Sequence, residues 1–587
     1  MAADDRLSVL SDDLLRRILH FVPSREAAST SLLSRRWGSL WRSTGAVNLA
    51  VRVVYDEVSG DDEAFSSRRD AFVRASQAAL AAAGAGAGVT SLTLDVAGRC
   101  LSGIDKFLNY GGGGGGEEIG VVDAVELRVG VAAPMYRTDG AKQRPWQEAR
   151  RWRSDDIYTY TLSFASLPSA TLRVLDITGC NFSDSKLALP DAGVAFPRLD
   201  TLRLRLCAVR LAHLQRLIDA APGLATVHLE SVYFEFNVYL DYYGVYGGLV
   251  AVESRLLLRC PAATELAMEF CGSSSYINSH LDGGIGIDAP KLRSFRYTGH
   301  PRRFYLESPA LEMTAVNIHF IGGDHRFADT LWRFLGNFTN VKILKLTVQE
   351  LGHLAVAGKA SRAELLCKFG NLERLELEAV RKPTKTKAPA VAIANLLHCC
   401  LALVDLSLKL KLLNYAWSKN YSLYLRSFHA KFQTDYDKSV GLFMHHKSKM
   451  TAVSSSLIDE HHDDKFSNIP GLSGKSFACL NSSLRRVKLQ QFQLGSASNC
   501  FGVRLIRFFA QNAMVLEEMC IDSGSRKLCE HMNLNVERWV GVDSSKIRLK
   551  DKNLTESSWE FSRIHPDSAP EFERNATSFK VLPLEKR

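Results

Sequence analysis

Glycine runs, paired histidines and twelve cysteines are the residues of this chain whose types could do chemistry. A glycine run at 111–116 could cradle a phosphate on its backbone N–H groups. Glu117 and Glu118 follow it, however, where a phosphate loop needs Lys and Ser or Thr, and their charge repels an anion. Ala85-Gly86-Ala87-Gly88 precedes a strand pattern instead of opening a helix, the wrong context for a dinucleotide. His445-His446 and His461-His462-Asp463-Asp464 are metal-ligand types, but no His/Cys spacing closes a four-ligand zinc site, and their polar surroundings read as a solvated insertion. G-x-S-x-G, H-E-x-x-H and paired C-x-x-C patterns are absent. The residues imply no catalytic group, no metal and no cofactor.

Composition bounds what remains. The 587 residues are 46% hydrophobic and 23% charged, enough to bury a sizeable core. The surplus of 73 Lys and Arg over 63 Asp and Glu, a net charge of +10, is too dispersed to imply nucleic acid. The basic segment Arg381-Lys382-Pro383-Thr384-Lys385-Thr386-Lys387 reads as a solvated loop that could also meet acidic partners or import factors. Met1-Ala2-Ala3-Asp4-Asp5 carries acid where a secretory signal needs base, and no apolar run approaches the roughly 20 residues that span a bilayer. The expectation is an intracellular protein, nuclear or cytoplasmic, away from membranes, with its thiols reduced and mostly buried.

The elements that would position a binding surface come in two kinds. Between Leu7 and Thr44 the chain reads as three short helices. Ser11 is placed as the first N-cap, Asp12 and Asp13 sit at the positive end of the helix dipole, and Leu14, Leu15, Ile18 and Leu19 form an apolar face. Pro23 ends that helix and Ser24 is expected to cap the next; Leu32, Leu33, Trp37, Leu40 and Trp41 follow at helical spacing. So small a unit cannot enclose this many large apolar groups. Either the array that follows or a separate partner must cover them, and spacing alone does not choose.

From about Val89 the period changes to strand alternation. Leu172, Leu175, Ile177, Cys180 and Phe182, then Leu199, Leu202, Leu204, Cys207 and Val209, then Leu224, Val227, Leu229 and Val232 match L-x-x-L-x-L-x-x-N/C-x-L. Further copies begin at Leu292, Val341, Leu372, Leu403, Leu484 and Leu516. Prolines punctuate the starts at Pro197, Pro222, Pro290 and Pro309, the last ahead of Leu311. One strand with one apolar edge cannot bury itself, so successive units must stack over a shared leucine core beneath a parallel sheet. Cys180, Cys207 and Cys271 occupy the asparagine/cysteine position and read as structural thiols. Tyr233, Tyr239, Tyr242, Tyr243 and Tyr246 mark a loop bulging from the array, read as packed aromatics or a contact surface.

Two stretches resemble a known family. Leu10-Ser11-Asp12-Asp13-Leu14-Leu15, Ile18-Leu19, Phe21-Val22-Pro23, Ser31-Leu32-Leu33-Ser34-Arg35-Arg36-Trp37 and Leu40-Trp41 together resemble the F-box of plant F-box proteins, with Ser11 standing where the family usually has proline. Residues 479–489 and 507–519, which read as a strand, an amphipathic helix bearing Leu505, Phe508 and Phe509, and a further strand, are similar to the FBD region that follows the repeats in many of them.

The resemblance, to the F-box/FBD/LRR family, implies an α/β protein: a three-helix F-box followed by a curved leucine-rich-repeat solenoid with a parallel sheet on its concave face. The expected divisions are the F-box at 1–45, a connecting region with the first irregular repeats at 46–160 and leucine-rich repeats at 161–428. A flexible insertion at 429–467, FBD-like closing repeats at 468–522 and a polar tail at 523–587 complete the chain.

It also implies a non-catalytic, substrate-recognition subunit of an SCF-type ubiquitin ligase. Leu10, Leu14, Leu15, Ile18, Leu33, Trp37 and Trp41 would bind a Skp1-like adaptor and, through it, a cullin. Strand residues lying between the core leucines, Arg203, Arg205, His228, Glu230, Arg374, Glu376 and Lys488, would face an unidentified target protein. The rival expectations are a repeat scaffold outside any ligase and a small-molecule sensor.

Overall fold

The computed structural model describes Leu7, residues 9–52, 62–84, 88–97, 125–132, 160–161, 169–182, 195–235, 256–273, 284–322, 327–356, 358–381, 387–412, Ile469, Leu472, 475–490, Leu505, 508–509, 511–521, 547–551, 559–563 and 577–581. The glycine run at 111–116, Tyr239, Tyr242, Tyr243, Tyr246, the four paired histidines and the centre of the basic segment lie outside these residues. Contacts divide the chain into two units, one of residues 1–298 with 305–312, the other of 299–304 with 313–587. Among the described residues no helix is long and apolar enough to cross a membrane.

In the first unit, the head begins with α1 (Asp12–Leu19) and α2 (Ser24–Ser29). Ser11 caps α1 as its sequence requires, its Oγ accepting from the Leu14 N–H at 3.4 Å. Two expectations are corrected. Ser24 caps nothing: it is the first residue of α2, and its Oγ accepts the Asn48 N–H at 2.8 Å. The third helix is replaced by three 3-10 turns, Thr30–Leu32, Arg35–Gly38 and Leu40–Ser43. Ser31, Ser34, Gly38 and Ser39 interrupt that stretch, and such residues favour turns over a continuous α-helix.

Eight parallel strands follow in chain order: β1 (Ala46–Arg52), β2 (Ser91–Ala97), β3 (Glu126–Ala132), β4 (Val174–Thr178), β5 (Thr201–Arg205), β6 (Thr226–Glu230), β7 (Glu265–Glu269) and β8 (Ser294–Gly299). The sheet therefore begins directly after the head, well before the repeats become clear in the sequence. Each strand sits in register with the next, so inward residues form continuous rows, such as Val47, Leu92, Leu127, Leu175, Leu202, Val227, Leu266 and Phe295. All are essentially buried. The residue two before each repeat strand forms a further row, Leu172, Leu199, Leu224, Ala263 and Leu292, also buried.

At the far end of each repeat strand the backbone turns through the left-handed region at Gly179 (φ 76°), Leu206 (φ 52°), Ser231 (φ 52°) and Phe270 (φ 55°). Each of these N–H groups donates to the neighbouring repeat: Gly179 to Arg205 O at 2.9 Å, Leu206 to Glu230 O at 2.9 Å, Ser231 to Glu269 O at 2.7 Å and Phe270 to Thr298 O at 2.6 Å. The left-handed residues are thus spent on stacking. Behind the turn, the Cys207 thiol donates to Ile177 O at 3.6 Å and Arg205 O at 3.2 Å, and Cys271 reaches Leu229 O at 3.4 Å. Short parallel strands then continue at Cys180–Phe182, Ala208–Arg210, Tyr233–Glu235 and Gly272–Ser273. Tyr233 thus belongs to a strand.

The second unit carries six parallel strands, β9 (Ala315–Phe320), β10 (Ile343–Val348), β11 (Arg374–Arg381), β12 (Asp405–Leu412), β13 (Arg486–Gln490) and β14 (Glu518–Ile521), again in chain order. Met313, Val341, Leu372, Leu403, Leu484 and Leu516 stand two residues before them, all buried. Leu311, the leucine after Pro309, is 81% exposed, so the core position of that copy falls to Met313 instead. Between strands, Trp332 donates from Nε1 to Leu354 O at 3.2 Å, and buried Asn395 donates to Leu354 O and Val356 O, both at 3.3 Å. Leu505, Phe508 and Phe509 of the FBD-like segment are buried, with Phe508 edge-on to Phe477. The polar tail contains an antiparallel sheet of Ile547–Asp551, Trp559–Arg563 and Thr577–Val581.

Candidate partner-binding surfaces

Helical geometry divides the apolar residues of the head. Positions four apart on α1 share a face, so Leu15 and Leu19 turn inward, where they pack with Ala27, Trp37 and Leu40; Leu10, Val22 and Trp41 lie partly buried around this core. Leu14 and Ile18, one position back from each, turn outward and are 49% and 46% exposed. Phe21, Leu32 and Leu33 join them at 73%, 90% and 65%. Of the seven residues singled out for an adaptor, Leu14, Ile18 and Leu33 are therefore surface, Leu10 and Trp41 are at its edge, and Leu15 and Trp37 belong to the interior. Phe21 and Leu32, also exposed, were not among those seven.

Polar contacts hold this apolar surface on a fixed frame. Arg36 Nε donates to Asp12 Oδ1 at 2.8 Å, and another guanidinium nitrogen donates to Leu10 O. Arg16 bridges Asp13 at 2.7 Å and Ser43 Oγ at 3.1 Å. Asn48 of β1 donates from Nδ2 to His20 O at 2.8 Å and Val22 O at 3.0 Å, so the C-terminal end of α1 is closed by a side chain from the sheet.

The outward rows of the sheet hold the second set. Register sets Arg203 beside His228 and Arg205 beside Glu230 on β5 and β6. Arg205 reaches the buried Asp176 carboxylate at 3.1 Å, while His228 Nε2 lies 3.5 Å from Glu269 Oε1, which also meets Arg296 at 3.3 Å. In the second unit Arg374 pairs with Asp405 at 3.4 Å, Arg486 also donates to Asp405, and Lys345 meets Glu376 at 3.5 Å. Lys488 lies two strands beyond Glu376, in register with Ser407. The four residues of the first unit thus form one cluster; Arg374 and Glu376 share β11 but each is bound to a neighbour.

Burial governs the thiols behind these surfaces. Burial pushes the Cys207 and Cys260 thiols up to about 12 and raises Cys180 and Cys400 well above the ordinary range, leaving them protonated and poor as nucleophiles or metal ligands. Among the described residues no three His, Cys, Asp or Glu side chains are grouped to hold a metal ion.

Residues 7–45 match the F-box domain family. An F-box/FBD/LRR-repeat protein of Arabidopsis thaliana is 47% identical over 64 residues, which are 11% of this chain and 14% of that protein. An FBD-associated F-box protein of the same plant is 58% identical over 38 residues, 6% of this chain and 10% of the relative. A further FBD-associated F-box protein of Arabidopsis thaliana is 50% identical over 44 residues, 8% of this chain and 24% of its own length. The chain thus matches less than a quarter of the length of each of these relatives. The head of this chain is an F-box domain, of the kind carried by the plant F-box/FBD/LRR-repeat proteins.

Proposed function

We propose that this chain is a substrate-recognition subunit of an SCF-type ubiquitin ligase, with its F-box on a Skp1-like adaptor, and through it a cullin, and its repeats on a target protein. The observation that carries this reading is the apolar surface of Leu14, Ile18, Phe21, Leu32 and Leu33 left open on a domain that matches the F-box family. Covering a half-exposed leucine is worth about 1 kcal/mol at roughly 25 cal/mol per Å², so an adaptor that buries this set gains several kilocalories. Leu10 and Trp41 form the rim of that surface. Leu15 and Trp37 support it from inside.

The in-register parallel strands and stacked left-handed turns support a leucine-rich-repeat solenoid whose outward rows receive the target, with Arg203, Arg205, His228, Glu230 and Lys488 as contacts. Arg374 and Glu376, like Arg205, would exchange an existing ion pair for a new one, so these three contribute less. In this reading the chain is a non-catalytic subunit. It acts inside the cell, in nucleus or cytoplasm, by holding a target lysine near a ubiquitin-charged enzyme, raising effective concentration.

The test is co-purification of the full chain with a plant Skp1-like protein. A Leu14→Asp, Ile18→Asp pair should abolish the complex while circular dichroism stays unchanged. Undiminished binding by that variant, or no complex with the unaltered chain, would refute the reading.

A further inference from the structure

A cleft of about 260 Å³ lies where the end of the head meets the outward residues of β1, β2 and β3. Phe21, Pro23 and Ala50 give its lining apolar character, and Asp95 and Glu126 add carboxylates in two register rows with that of Thr93 between them.

Small residues flank one of the two carboxylates. Asp95 is flanked across the ladder by Ala50 on β1 and Gly130 on β3, where the corresponding positions of later strands carry Thr178, Arg205, Glu230 and Glu269. A Cβ on Gly130 would stand 3.5 Å from Asp95 Oδ1. The Asp95 carboxylate is exposed and has no hydrogen-bond or ion-pair partner among the described residues. Glu126 is held by Arg128 at 3.3 Å, so one guanidinium stands against two carboxylates and the cleft is net negative. The remaining titratable group, His20, turns its Nδ1 to Thr44 O at 3.3 Å.

An anion is repelled here, and a neutral apolar group would leave Asp95 unanswered. The complement is a short alkyl stem ending in a cation: methylenes against Phe21 and Pro23, the charge on Asp95. An ion pair to one exposed carboxylate holds a free amine only weakly, so the arm must be delivered by a larger ligand anchored elsewhere on the outward rows. We propose that this cleft is a subsite for a lysine or arginine side chain of the polypeptide that the repeats bind. This rests on the reading of the outward rows as a target surface, and it adds a chemical preference to that reading.

The test is selection of a random octapeptide library on the full chain in complex with its Skp1-like adaptor, or on the chain alone if none binds. Lysine and arginine should be enriched among retained peptides, and Asp95→Asn should weaken those peptides about three- to fivefold, the size of an exposed ion pair. Ala50→Val, a β-branched residue at an exposed strand position that lines the cleft beside Asp95, narrows it and should have the same effect. No basic enrichment, or equal binding by both variants, would overturn the subsite. Saturation by 1,5-diaminopentane, with peptides unaffected, would overturn the polypeptide as its source. Adaptor binding without basic preference sinks the subsite alone; basic preference without adaptor binding sinks the ligase reading alone.

Discussion

The F-box head and the parallel sheet are built from the same residues and treat them in opposite ways. In the sheet, every described leucine of the inward rows is buried, as Leu175, Leu202 and Leu375 are at 0% exposure. In the head, Leu14, Leu32 and Leu33 stand in solvent while Leu15 and Leu19 of the same motif are interior. The difference follows from how each region acquires neighbours. A strand in a repeat array has another copy on either side, so its apolar edge is covered within the chain. The head has one small core, and the leucines left over form the exposed face on which the proposed adaptor would sit.

Removing a row leucine should do the most damage. Leu204→Ala, at a site 1% exposed between β4 and β6, should destabilise the first unit by about 2–5 kcal/mol, read by urea denaturation. Asn395→Ala should cost about 2 kcal/mol by taking the donor from the Val356 carbonyl and leaving Leu354 O to Trp332 alone, measured in the same way. Gly179→Ala tests the stacked turns: a Cβ at φ 76° should cost about 1–2 kcal/mol of stability. Leu33→Ser in the head should change stability by less than about 0.5 kcal/mol while weakening adaptor capture. A large loss of stability there would erase the contrast, since it would show the head covered within its own chain.

Thiols sharpen the comparison from the side of the sheet. Burial keeps the Cys207 thiol protonated up to about 12, whereas in the unfolded chain it ionises near 9. The folded form therefore holds its proton longer, so the contribution to stability is complete below pH 9 and declines as pH rises from there toward 12. Native iodoacetamide labelling at pH 8 should spare Cys180, Cys207 and Cys400, and denaturant should expose all three.

The repeats were legible because the strand period is two and each copy repeats its apolar positions: Leu172, Leu199, Leu372, Leu403, Leu484 and Leu516 each stand two residues before a strand. Legibility failed where the pattern was carried by other residue types. Met313 stands where the leucine after Pro309 was expected, and the three strands nearest the head are separated by long connections, the first of which carries the helix Asp62–Gly84. Ser24 was misplaced because a hydroxyl beside a helix start looks alike whether it caps that helix or accepts from a distant strand.

What the order of residues determined by itself is therefore local and periodic: the Ser11 cap, the strand starts, the inward rows and the thiols behind three of the four left-handed turns. Only the tertiary structure decided which head leucines face outward, that Asn48 clasps the end of α1, and that Ala50 and Asp95 line one cleft with Phe21 and Pro23. Those outcomes depend on residues far apart in the chain meeting in space. Periodicity records neighbours along one element, and a cleft or an open face is defined by what several elements fail to fill.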